Sequence, residues 1–79
     1  MSIGSLRFAI AIRVEPDEGN FHAFCPALKG LHVDGDTEEE AIRNAEDAAV
    51  LYLKSVLSHR EPLPEGVLVM NPRRRRRDA

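Results

Sequence analysis

FHAFCPALKGLHVDGDTEEEA, residues 21–41, holds an apolar strand, a proline-started turn, a second short strand and a capped helix start, with almost no spare residues. Phe21 to Cys25 forms the strand, and Pro26 ends its pairing on one side because it has no N–H to donate. Gly30 follows in a short loop. Leu31, Val33 and Gly35 then alternate with His32, Asp34 and Asp36, which predicts the next strand. Thr37-Glu38-Glu39-Glu40 has the form of a capping box, with the Thr37 hydroxyl accepting from the Glu40 amide and the Glu40 carboxylate reaching back to the Thr37 amide. The three glutamates also suit the positive end of the helix dipole. Each device contributes only about 1 kcal/mol or less, so their agreement on one boundary is the firmer sign. The same stretch holds no nucleophile beside a base, no recognised metal-ligand spacing and no phosphate loop. It describes a scaffold that works by contact.

Upstream, Leu6, Phe8, Ile10, Ile12 and Val14 alternate with Arg7, Ala9, Ala11 and Arg13, a period of two that predicts one long strand suited to the centre of a sheet. Pro16-Asp17-Glu18-Gly19-Asn20 is turn chemistry and closes a hairpin with a five-residue loop. Downstream, Ala41, Ile42, Ala45, Ala49, Tyr52, Leu53, Val56 and Leu57 form one apolar stripe on a helix from about Glu38 to Ser58, roughly 30 Å long. The alanine-rich first half lets the helix approach the sheet closely. A proline-rich exit, His59 to Gly66, leads to a short apolar run at Val67–Met70 that reads as a fourth strand, stopped by Asn71-Pro72. The expected fold is α+β, β-β-β-α-β, with a three-stranded antiparallel sheet and one helix on one face. A helix leaving the third strand and returning to the fourth fits a right-handed crossover, with the natural order 3-2-1-4 and the fourth strand parallel to the first. One sheet face then meets water or a partner, and an open edge invites pairing between chains.

Seventy-nine residues make one domain, read as residues 1–72 with a basic tail at 73–79. A chain this short buries only about 60–65% of its unfolded surface. Cys25, the only cysteine, rules out an internal disulfide and reads as a small core hydrophobe. A domain without staples is expected to lean on self-association, as a dimer or tetramer. No signal peptide is visible, and no apolar run approaches the roughly 20 residues of a membrane span, so the cytoplasm is the default location. The net charge of −2 conceals an asymmetry: residues 1–72 hold six bases against twelve acids, or −6, and Arg73, Arg74, Arg75, Arg76 and Arg77 add +5 in one block. An acidic body suits a basic partner and repels nucleic acid; the tail does the opposite.

Phe21-x-Ala23-x-x-Pro26-x-Leu28-x-Gly30, followed by Gly35-Asp36-Thr37-x-Glu39-Glu40-Ala41, the alanine-rich helix and Pro62-x-Pro64, resembles the HicB-like antitoxins of bacterial and archaeal toxin–antitoxin pairs over residues 5–70. The resemblance implies a partial ribonuclease-H-like fold without nuclease activity. It also implies binding to a small HicA-type toxin, with a double-stranded-RNA-binding-like fold, that cleaves messenger RNA. Full-length members usually add a C-terminal DNA-binding domain, which is not expected within these 79 residues. Ala27 and Lys29 stand where the family commonly has an acid and a second proline, and Leu31 where it commonly has a cysteine. These changes suit the same fold and are silent about the partner.

Candidate chemistry is sparse. His22 and His32 can face each other across neighbouring strands, with Asp34 or Asp36 within reach as a third ligand, but no spacing matches a known metal site, and surface imidazoles are the simpler reading. Asp34 and Asp36 are thin support for metal-dependent hydrolysis, which needs several convergent carboxylates. No catalytic residue, metal or cofactor is assigned. Asp34, Asp36, Glu38, Glu39, Glu46 and Asp47 are the candidate contacts to a basic protein partner. Arg73 to Arg77 are candidate phosphate contacts for weak, non-specific nucleic-acid binding, with no interleaved aromatics to read bases. A partner-neutralising antitoxin is therefore the leading reading, ahead of a stand-alone nucleic-acid-associated module and of a degenerate nuclease.

Overall fold

The computed structural model describes residues 1–70 with the exception of Ser5. Its six strands are β1 (Ser2–Ile3), β2 (Leu6–Ala9), β3 (Arg13–Asp17), β4 (Asn20–Phe24), β5 (His32–Gly35) and β6 (Leu68–Met70), and its helix is α1 (Glu38–Ser58). The helix matches the span predicted for it. Thr37 sits in extended backbone at φ −128° and accepts a hydrogen bond from the Glu40 amide at 3.1 Å. The return half of the box is shifted by one residue, because the Glu40 carboxylate takes the N–H of Asp36 (2.6 Å) rather than that of Thr37. At the far end, Arg60 adopts φ 56° and donates its N–H to Leu57 O at 3.1 Å, while Glu61 donates to Val56 O at 3.0 Å. Those two bonds make a Schellman stop with arginine in the position that usually takes glycine.

Ala41, Ala45, Ala49, Leu53 and Val56 are the buried face of α1, packed against the sheet β3-β4-β5. Leu28 and Leu31 enter the same core from two successive turns, closed by Leu28 N–H to Cys25 O and Leu31 N–H to Leu28 O. Phe8 and Ala23 complete the centre, and no polar or charged side chain is buried among the described residues. The β3–β4 hairpin is tighter than the five-residue loop expected. Asp17 pairs with Asn20 across a two-residue turn, Glu18-Gly19, with φ 45° and 93°. Positive φ at both positions gives the twist that neighbouring strands favour. Pro16 therefore lies within β3, which it tolerates because β3 is an edge strand.

Two expectations about the sheet are corrected. The single strand over residues 6–14 is interrupted at Ile10–Ile12, and its halves join different three-stranded sheets, β1-β2-β6 and β3-β4-β5, instead of one sheet in the order 3-2-1-4. The fourth predicted strand, β6, pairs with β2 antiparallel, not parallel, with Arg7 opposite Met70 and Ala9 opposite Leu68. The crossover rule governs a helix that returns the chain to the sheet it left. Here α1 leaves β5 and the chain enters the other sheet, so the rule does not fix the direction of β6. The exit also bends twice, at Arg60 and at Gly66 (φ 93°), the second bend closed by Val67 N–H to Pro64 O at 3.3 Å. β1 itself, folded back on β2 by Ser2–Arg7 and Ile3–Leu6 pairing, was not anticipated.

Candidate partner-binding site

Strand alternation divides the β3-β4-β5 sheet cleanly. Ala23 and Gly35 point to the helix and are buried. The opposite face carries Arg13, Glu15 and Asp17 from β3, Asn20, His22 and Phe24 from β4, and His32 and Asp34 from β5. The register lines these up in cross-strand rows: Arg13–Phe24–His32 in one, Glu15–His22–Asp34 in the next.

Within those rows the side chains interact. His22 Nδ1 lies 3.1 Å from Asp34 Oδ1, and His22 Nε2 lies 3.1 Å from His32 Nδ1. The two imidazoles have centroids 5.2 Å apart and planes within 19°. With ring nitrogens that close at that centroid spacing, the rings meet edge to edge and share a hydrogen bond, instead of lying face on face. Phe24 completes the group at 5.8 Å from His32 and 5.9 Å from His22, with planes 25° and 28° from theirs. The side chain of His22 is 29% exposed and that of Asp34 66%. Among the described residues, no three His, Cys, Asp or Glu side chains are grouped so as to hold a metal ion.

The six acids picked out from the sequence are all exposed, but they do not form one cluster. Asp34 belongs to the outer sheet face just described, and its backbone carbonyl is tied to the helix by Asn44 Nδ2 at 2.8 Å. Asp36, Glu38 and Glu39 stand together where β5 hands over to α1. Glu46 and Asp47 lie two turns further on, about 12 Å along the axis from Glu38. The fourth acid of the helix start, Glu40, is occupied by the Asp36 amide. Phe24 and Glu15 were not singled out; strand alternation would have placed both on the His22 face once the hairpin register was known. His59 caps the helix end through Nδ1 and Ser55 O at 2.8 Å, so that nitrogen carries the proton. Arg73 to Arg77 lie outside the described residues. No helix among the described residues is long and apolar enough to cross a membrane.

Among the described residues the chain is thus an acidic α+β scaffold with one helix packed on one side of the β3-β4-β5 sheet and polar side chains on the other. It belongs to the HicB-like antitoxin family of bacterial toxin–antitoxin systems, whose model matches residues 8–75. It is 47% identical over 55 residues to the UPF0150 protein ssr1765 of Synechocystis sp., covering 70% of each chain. It is 33% identical over 63 residues to Antitoxin HicB of Pseudomonas fluorescens, a match spanning 80% of this chain and 43% of that protein. A UPF0150 protein of Thermoplasma acidophilum, Ta0767, is 30% identical over 59 residues, covering 75% of this chain and 84% of its own. No solved structure matches the chain.

Proposed function

We propose that this protein is an antitoxin that binds a small HicA-type, messenger-RNA-cleaving toxin in the cytoplasm and neutralises it by covering the toxin's basic face, without chemistry of its own. The observation that carries this reading is the group of exposed carboxylates at the handover from β5 to α1, Asp36, Glu38 and Glu39, in a chain of the antitoxin family, with Asp34 adding a further exposed carboxylate on the outer sheet face. Glu46 and Asp47 extend it along the exposed side of the helix. An RNA-cleaving partner must carry a basic surface for phosphates, and an acidic surface meets it with both attraction and rapid, steered encounter. Residues 1–72 act as the binding domain. A partial ribonuclease-H-like ancestry is supported by three antiparallel strands followed by a helix across one face; the antiparallel β6 counts against it.

Self-association belongs to the same reading. β6 is an edge strand whose Leu68, Val69 and Met70 are 64%, 45% and 48% exposed. A short apolar edge of this kind pairs readily with its own copy about a two-fold axis.

The deciding experiment is co-expression with the product of the neighbouring reading frame. Rescue of growth and co-purification are expected, both weakened by Glu38→Lys with Glu39→Lys. A toxic neighbour that this chain neither rescues nor binds overturns the reading.

A further inference from the structure

The outer sheet face has a chemical direction that net charge does not account for. Ionised Asp34 accepts a proton-bearing nitrogen, so His22 carries its hydrogen on Nδ1 and keeps a lone pair on Nε2. That lone pair accepts from His32 Nδ1, 3.1 Å away. A neutral His32 is then left with a bare acceptor at Nε2, on an exposed residue at the sheet edge. Beside it lies the half-buried ring of Phe24, with a flat apolar surface. Carboxylates stand on both sides of His22, Glu15 across one strand boundary and Asp34 across the other.

An acceptor, an aromatic surface and carboxylates together fit one side-chain chemistry. A guanidinium is planar, carries five donors and no acceptor, and stacks on aromatic rings. An ammonium lacks the plane, and a phosphate is repelled by Glu15, Asp17 and Asp34, opposed among the described residues of this face by Arg13. We propose, building on the antitoxin reading above, that His22, Phe24, His32 and Asp34 form a patch that receives an arginine of the partner protein. The guanidinium lies against Phe24, donates one N–H to His32 Nε2 and another to Asp34. His22, itself oriented by Asp34, is a positioning residue for His32: it fixes its tautomer.

The test uses the full chain and two acetylated peptides of equal charge, hexa-arginine and hexa-lysine, followed by NMR titration at about pH 8, above the ordinary imidazole range. A gain of about 1 kcal/mol from stacking corresponds to roughly five-fold tighter binding of the arginine peptide. The shifted signals are expected at Phe24, His32 and Asp34. His32→Ala and Phe24→Leu, both on the face away from the helix, should each weaken the arginine peptide more than the lysine peptide and bring the ratio close to one. Imidazole nitrogen shifts should report hydrogen on Nδ1 of both His22 and His32, a readout that needs no variant. Equal affinities, shifts confined to Glu38 and Glu39, or hydrogen on Nε2 of His32 would each overturn the proposal. The two readings separate with the toxin itself. Undiminished co-purification with both variants overturns the arginine patch and leaves the antitoxin standing. An arginine preference without any toxin complex supports the patch and removes only its proposed owner.

Discussion

A β-carbon on Gly35 would stand 2.8 Å from Ala41 Cα and 2.9 Å from Glu40 C, with the Ala41 nitrogen closer still. All three are backbone atoms of the capped helix start and cannot swing aside. Gly35→Ala must push α1 off the sheet, and a loss of about 2–3 kcal/mol is expected from urea midpoints, in the range of core overpacking. Arg60 presents the reverse case. It holds φ 56° at the helix stop, a conformation that strains any residue with a β-carbon. Arg60→Gly relieves the strain and loosens the unfolded chain, and the balance should stabilise by about 0.5–1 kcal/mol. The same denaturation series measures both.

At the scale of elements, α1 is held at its start by Thr37, and Thr37→Ala should lower stability by about 1 kcal/mol and fray the first turn in amide exchange. The helix was legible in the sequence because everything that bounds it is local: a hydroxyl, three acids and a stripe at helical spacing. The strands were less so. Alternation runs without a break from Leu6 to Val14, yet Ile10–Ile12 is unpaired, because period two reports which side chains face inward and says nothing about which strand the backbone bonds. Two-residue β1 carries no period at all. Pro16 read as a loop residue, since its tolerance inside β3 depends on β3 being an edge. The candidate site divides in the same way. That His22 and His32 meet across neighbouring strands with Asp34 in reach followed from the alternation, whereas the register that sets His22 opposite Asp34 and Phe24 opposite His32, and brings Glu15 into the rows, did not.

At the scale of the whole molecule, two surfaces compete for attention and are chemically opposed. The β5–α1 handover is charged and wet; β6 is apolar and at an edge. If β6 is the seam between copies, Val69→Lys should shift sedimentation towards the monomer while the circular dichroism of α1 is retained. A sedimentation profile unchanged from the parent would place the seam elsewhere. Burial of the sole cysteine has a practical consequence. Cys25 is 2% exposed, so a thiol-directed reagent reaches it only when the core parts. Its labelling rate in the native protein should fall well below that of the urea-unfolded chain, and should slow further if a bound toxin clamps the scaffold. The molecule thus contains its own clock for breathing motions, readable by mass spectrometry without attaching a probe.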